Sequence, residues 1–331
     1  MKKIIMAGIF WIFLLSAGGR VMCANWISTE LCSIEWGAEE NQLLLTEKAV
    51  NDPGTPGDSS DDYVEPPRGP HIAQVDGNEN IIIGSFETRQ LKCFSESGDL
   101  IFNFSYDSDG YDPDVFRYAP SVIYVGENQK LYVQSDPANN FIPVVDYGGE
   151  IIERKRPFDQ DPDATIDFMN SAPDGSLFLY NEKYGWITYK NGITVPGGST
   201  GFLATNGSFY TVTKKTANSL EFKKFENPDS TTLAETRELT EIPVDVDTLV
   251  AAGLINGGDG NSLYVILAIN SYFNFEIWQY DLNYNVIDKL ALTSEEPYEG
   301  IGINPFIRSD GNLYEFLARE DGLHVIRWSK E

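Results

Sequence analysis

A short phrase returns about six times along this chain: a turn built on Gly, followed at once by a strand of large apolar residues. It reads Asp76-Gly77-Asn78-Glu79-Asn80-Ile81-Ile82-Ile83, then Gly126 to Leu131-Tyr132-Val133, Asp174-Gly175-Ser176-Leu177-Phe178-Leu179, Asn206-Gly207-Ser208-Phe209-Tyr210, Asp259-Gly260-Asn261-Ser262-Leu263-Tyr264-Val265 and Asp310-Gly311-Asn312-Leu313-Tyr314. Asp, Asn and Gly belong in tight turns, where positive φ or bonding of a side chain to its own backbone is useful. Phe, Tyr, Ile and Val suit the pleated strand that follows.

Self-similarity at a period of roughly 30 to 55 residues marks a repeat architecture, and strands joined by tight turns within each unit make it an all-β, six-bladed β-propeller. The first repeat parses most clearly. Ile72 to Val75 forms an inner strand, Asn80 to Ser85 returns, Gln90 to Phe94 follows, Glu96-Ser97-Gly98 turns again and Leu100 to Phe104 closes the unit. Strands such as Ile81-Ile82-Ile83 and Leu263-Tyr264-Val265-Ile266 are apolar on consecutive residues. Both of their faces must therefore be covered, as happens when sheets stack face to face. The last repeat runs out at its third strand, Leu323 to Trp328, whereas Leu31 to Gly37 has the composition of an outer strand. The N-terminus is thus expected to close the ring beside the last blade, sparing an exposed edge. The resulting division is 1–24 as a signal, 25–50 as the closing strand, 51–69 as a Pro/Gly/Asp-rich linker and 70–331 as the propeller.

The run Gly69-Pro70-His71-Ile72-Ala73, Asp76-Gly77, Asn80-Ile81-Ile82-Ile83, Arg89-Gln90-Leu91-Lys92-Cys93-Phe94 and Gly98 resembles an NHL repeat. That pattern runs Pro-x-Gly-Ile-Ala-Val-Asp, Gly-Asn-Ile-Tyr-Val, Asn-x-Arg-Ile-x-Val-Phe, then Gly. Here His71 replaces the usual Gly and Gln74 shifts the Val-Asp pair by one. The resemblance covers the first repeat and fades afterwards. It implies a bacterial, secreted propeller.

Lys2 and Lys3 precede an apolar run from Ile4 to Leu15 and then Ser16, Ala17, Gly18 and Gly19, the layout of a secretory signal. The run is short for a bilayer crossing, which takes about 20 residues, so no membrane span is expected. Cleavage after Gly18 or after Ala24 both fit. Arg20-Val21-Met22 is a poor lead-in for lipidation of Cys23, and the expected location is secreted or periplasmic. Lys and Arg total 24 against 50 Asp and Glu, a formal charge of −26. Phosphate backbones are repelled by such a surface, which argues against nucleic acid as a partner. The basic clusters Arg154-Lys155-Arg156, Lys214-Lys215 and Lys223-Lys224 read as solvated strand edges and turns.

Cys32 and Cys93 admit either a single disulfide or two small buried hydrophobes. Gly197-Gly198-Ser199-Thr200-Gly201 matches a nucleophile elbow in letters, yet no helical pattern follows it, so it reads as a connection between blades. His71 and His324 are too few for three-His zinc and read as packing or hydrogen-bonding residues. The strongest metal candidate is Asp107, Asp109, Asp112 and Asp114 around Gly110, because Ca²⁺ takes six to eight oxygens. A solvated acidic turn explains the same residues. Asp159-Gln160-Asp161-Pro162-Asp163 and Asp167 repeat that character in the next connection. Tyr111, Phe116, Tyr118, Tyr272, Phe273 and Phe275 are aromatics in stretches between strands, suited to a platform for carbohydrate or peptide. Asn103-Phe104-Ser105 and Asn206-Gly207-Ser208 have the form of glycosylation sequons.

The expectation is a monomeric, non-enzymatic module that binds a peptide, glycan or protein and needs no cofactor. The alternative is a Ca²⁺-dependent hydrolase like the six-bladed lactonases, in which inner-strand carboxylates hold one metal that polarises an ester.

Overall fold

A computed structural model describes residues 25–45, 50–51, 63–64, 69–85, 90–105, 120–125, 130–135, 142–158, 161, 164, 166, 168–171, 177–181, 183–190, 193–196, 202–204, 206–226, 233–239, 249–255, 260–269, 274–293, 298 and 301–331. Regular structure among them is strand apart from one helical-turn residue, Tyr298. β1 (Trp26–Glu35) comes first, followed by a short pair, β2 (Val50–Asn51) and β3 (Tyr63–Val64). Five antiparallel sheets then form, each from four consecutive strands. They are β4 (Ile72–Val75), β5 (Ile81–Ser85), β6 (Gln90–Phe94) and β7 (Leu100–Ser105); β8 (Pro120–Val125), β9 (Leu131–Ser135), β10 (Ile142–Val145) and β11 (Ile151–Lys155); β12 (Phe168–Ser171), β13 (Leu177–Asn181), β14 (Gly185–Lys190) and β15 (Ile193–Pro196); β16 (Phe202–Leu203), β17 (Phe209–Thr216), β18 (Ser219–Phe225) and β19 (Leu233–Leu239); β20 (Leu249–Leu254), β21 (Ser262–Ile269), β22 (Phe275–Asp281) and β23 (Val286–Ala291). A sixth sheet takes three strands from the C-terminus, β24 (Phe306–Ile307), β25 (Leu313–Arg319) and β26 (Gly322–Lys330), and its fourth from β1.

The stretch read as a bare linker contains a ladder, since Asn51 pairs with Tyr63 and Val50 with Val64. Two residues of ladder are too few to register as a periodic pattern. Residues 1–24 lie outside the described residues.

Among the described residues, six hairpin turns share one geometry. In turns starting at Asp76, Ser95, Asp146, Ala204, Asp281 and Arg308, the first residue donates its N–H to the carbonyl four residues on, and the fourth residue donates back to the first. The fourth residue has positive φ every time: Glu79, Gly98, Gly149, Gly207, Tyr284 and Gly311. Acidic side chains add to the turn, because Asp76, Asp146 and Asp281 each accept from the backbone N–H two and four residues later. That is the physical content of the repeated Asp, Asn and Gly. An Ala at Gly207 (φ 82) meets nothing within 4 Å, so Gly207→Ala should cost only the left-handed backbone penalty, about 1 kcal/mol. At Gly98 (φ 84) the added Cβ sits 3.2 Å from Cys32 Cβ on β1. Gly98→Ala is therefore expected to lower the denaturation midpoint more than Gly207→Ala; equal shifts would remove the argument.

Consecutive apolar residues serve two cores. Ile81 and Ile83 pack in one cluster with β1 and the sixth sheet, whereas Ile82 packs in another with Leu131, Val133 and Val145 of the second sheet. Leu263, Val265 and Leu267 face the fourth sheet, and Tyr264 faces the sixth. A further cluster joins Ile142 of the second sheet to Leu177, Leu179 and Ile187 of the third. First strands lie beside one another, β24 against β4, β4 against β8 and β8 against β12. Sheets stacked face to face with their first strands together are the arrangement of a β-propeller.

β1 joins the sixth sheet through an antiparallel ladder from Trp26↔Lys330 to Glu35↔Gly322, with a bulge between Glu30 and Cys32. Its inward residues Cys32 and Ile34, with Leu43 beyond, fill the core between the sixth and first sheets. Cys32 and Cys93 are both buried and free, which decides between the two readings of the cysteines. They fall in different core clusters, on opposite sides of the first sheet. Burial pushes the Cys32 thiol up to about 11 and the Cys93 thiol up to about 12, so neither is a thiolate at neutral pH.

Candidate functional site

Antiparallel alternation puts first-to-second and third-to-fourth turns at one end of a sheet, and the remaining connections at the other. The six shared-geometry turns all belong to the first kind. Tyr184 belongs to the second, in the tight turn between β13 and β14. Asn181, itself buried, builds that turn by accepting from the backbone N–H of Lys183 at 2.8 Å and of Tyr184 at 3.2 Å. The Tyr184 side chain is held from three directions. Its ring stacks on Phe158 with centroids 5.2 Å apart and planes 19° from parallel. Its hydroxyl donates to Asp161 Oδ2 at 2.6 Å. Lys183 Nζ, which also donates to Asp161, lies 5.0 Å from the ring centroid. The hydrogen bond to Asp161, then that to Tyr184, holds the Lys183 ammonium above its ordinary range.

Phe158 and Asp161 come from the connection between β11 and β12, and Asp161 bonds back to Phe158 O through its own N–H. Two chain segments thus converge on one ring, yet Tyr184 remains 44% exposed, the only aromatic among the exposed large hydrophobics of the described residues. An aromatic face that is fixed before any ligand arrives loses little entropy on binding. The adjacent ammonium and carboxylate supply polar handles.

Of the sequence candidates, Asp161 is the acidic residue this arrangement brings into use. Asp107, Asp109, Asp112, Asp114, Asp159, Asp163, Asp167 and the segment 197–201 lie outside the described residues, as do Tyr111, Phe116, Tyr118, Tyr272 and Phe273. Phe275 packs at the core between the fifth and sixth sheets. Among the described residues, no group of three or more His, Cys, Asp or Glu is placed to hold a cation. His71 donates its backbone N–H to Gly84 O. His324 is buried, with Nδ1 3.0 Å from Glu30 and Nε2 2.9 Å from Asp321, so it ties β26 to β1. Lys215 pairs with Glu221 and Glu238, Lys223 with Glu221, and Lys214 with Val250 O, which spends the basic run within its own sheet and the next. Tyr184 itself was missed in sequence. Its signal is an aromatic beside Gly185 in the short turn Asn181 to Gly185, where a ring has little strand to pack against.

These sheets and their packing define a propeller-type protein. No family model matches the chain, and no curated protein matches it by sequence. Among solved structures it is similar to a virginiamycin B lyase from Staphylococcus aureus, at 11% identity and a TM-score of 0.44 over 80% of this chain and 96% of that one. A regucalcin described as a calcium-binding protein, from Agrobacterium tumefaciens, gives 12% identity and a TM-score of 0.45 over 79% and 91%. A DUF4221 family member from Bacteroides vulgatus gives 10% and 0.47 over 93% and 97%. No helix among the described residues is long and apolar enough to cross a membrane.

Proposed function

We propose that this chain is an exported, monomeric six-bladed propeller of the NHL-repeat type, its six sheets forming one ring sealed by β1, and that it acts as a non-enzymatic binding module. The partner class is a peptide, glycan or protein. Binding would occur on the face that carries Tyr184, where connections other than the tight shared turns gather. The observation that carries this reading is the Tyr184 ring, exposed although stacking and hydrogen bonds hold it rigid. A residue fixed that firmly contributes contact area at low entropic cost. The acidic surface favours partners that are neutral or basic.

The test is a binding screen of the mature chain against immobilised glycans and peptides, run with wild type and Tyr184→Ala, with and without chelator. The expected result is a wild-type interaction that weakens about tenfold in the variant, the equivalent of about 1.4 kcal/mol, and that survives chelation. Equal binding by both proteins would overturn the role of Tyr184. Loss on chelation, restored by Ca²⁺, would favour a bound calcium ion, either at Asp107 to Asp114 or on the inner-strand carboxylates of the hydrolase alternative.

A further inference from the structure

Where the sixth sheet meets the first, two carboxyl groups share one guanidinium. Glu79 sits at the positive-φ position of its turn (φ 65), where four of the six shared-geometry turns place Gly. A non-Gly residue there is strained by about 1 kcal/mol or more, and such outliers persist when their side chains are needed. Glu79 reaches across to the sixth sheet. Arg327 Nη1 of β26 donates to Glu79 Oε2 at 2.8 Å, Arg308 Nη1 donates to Glu79 Oε1 at 3.3 Å, and the Tyr314 hydroxyl donates to the same oxygen at 3.2 Å. Glu96 lies in the neighbouring turn of the first sheet. Its Oε1 is 3.5 Å from the same Arg327 Nη1, so the two carboxyl groups meet at one donor nitrogen.

We propose that the Glu79–Glu96 pair is a proton-sharing clasp that makes the joint between the first and sixth sheets tightest at mildly acidic pH and looser at neutral pH. Two carboxyl groups that crowd one donor nitrogen hold one proton between them more readily than none. The charged and titratable groups that face the pair are Arg308 and Tyr314 from the sixth sheet, Arg327 from β26, Asp310 beside Arg308, and Cys32 from β1. Cys32 is a neutral thiol, and Asp310 is spent on Arg308. Two cations, Arg308 and Arg327, therefore face three carboxyls, Glu79, Glu96 and Asp310.

The direction for each carboxyl follows its surroundings. The hydrogen bond that protonated Glu96 donates to Glu79, then burial, then the Glu79 charge hold Glu96 above its ordinary range. For Glu79, burial pulls upward but is outweighed by the bond with Glu96 and by Arg327 and Arg308, so it titrates below its ordinary range. Glu96 binds its proton more tightly folded than unfolded, so its contribution is complete below the ordinary value and is lost as pH rises through the folded one. Glu79 behaves oppositely, contributing above the ordinary value and losing it as pH falls through the folded one. The joint therefore has a stability optimum at which Glu79 is ionised and Glu96 protonated.

Three proteins test this: wild type, Glu96→Gln and Glu79→Gln, melted between about pH 4 and pH 8, with side-chain carboxyl titration followed by NMR. Glutamine at 96 still donates a hydrogen bond to Glu79 and cannot ionise. Glu96→Gln should match wild type near pH 5 and melt about 1 to 2 °C higher near pH 7.5, a shift kept small because the Glu96 side chain is 50% exposed. Glu79→Gln should melt below wild type from about pH 5 upward, because Arg308 and Arg327 lose their acceptor's charge. A constant offset between Glu96→Gln and wild type across the range would overturn the proposal, as would a Glu96 resonance titrating with no dependence on Glu79.

Discussion

A chain that lacks residues 25–36 is expected to lose several kcal/mol of stability and to self-associate, and a synthetic peptide of residues 25–36 is expected to reverse both. β1 contributes in three ways. It fills the core between the first and sixth sheets with Cys32 and Ile34, and truncating a buried aliphatic side chain costs about 2 to 5 kcal/mol. It bonds at both ends, since Trp36 Nε1 donates to Arg319 O at 2.6 Å and Trp26 Nε1 donates to buried Asp288 at 2.8 Å. It also covers the edge of β26, which would otherwise offer nine residues of unpaired backbone to another chain. Thermal melting and sedimentation of the truncated chain would check the loss. Melting at the wild-type midpoint as a monomer would show that β1 is ornamental. A smaller substitution probes the same ladder: a Cβ on Gly322 would stand 2.5 Å from the Ile34 carbonyl oxygen, so Gly322→Ala must push the end of β1 away. That variant should reproduce part of the truncation phenotype while leaving every core side chain in place.

Replacing Lys92 by alanine is expected to destabilise the protein by about 3 to 5 kcal/mol, more than the loss of a surface lysine by an order of magnitude. Lys92 is a β6 residue only 2% exposed, and its ammonium donates to Glu40 O at 3.0 Å and to Gln42 O. It thereby pins the segment after β1 onto the first sheet. Alanine would leave both carbonyls without their donor and open a cavity where the buried stem lay, and truncating a long buried side chain costs about 2 to 5 kcal/mol. Lys92→Met keeps the stem and should recover the packing share only. Burial holds the Lys92 ammonium below the ordinary 10.5, against the pull of Glu40. Between the folded value and 10.5 the unfolded chain binds more protons, so this group makes stability rise with pH through that window. Lys92→Met should remove that slope. Urea denaturation at two alkaline pH values measures it, and an unchanged slope would contradict the burial argument.

Much of this architecture was legible because it is written in short stretches. Asp76 to Asn80 holds its turn through its own Asp carboxylate, and Ile81-Ile82-Ile83 shows by its unbroken apolarity that two cores lie on either side. Other features carried no local signal. Tyr284 and Glu79 occupy positions where the repeat favours Gly, and each does so for contacts in a neighbouring sheet: Tyr284 against Tyr210 and Phe222, Glu79 against Arg308 and Arg327. The Tyr184 plate depends on Phe158 and Asp161, more than twenty residues away.

Strand, turn and the need for two-sided burial were settled by the sequence alone, because they depend on φ preference, on side chains bonding their own backbone and on the alternation of apolar residues over a few positions. Only the tertiary structure decided that Cys32 and Cys93 stay apart, that Lys92 is spent on carbonyls fifty residues away, and that two glutamates meet under one arginine. Those outcomes depend on which sheet lies beside which, and a charge or thiol acquires its chemistry from neighbours that chain order does not name.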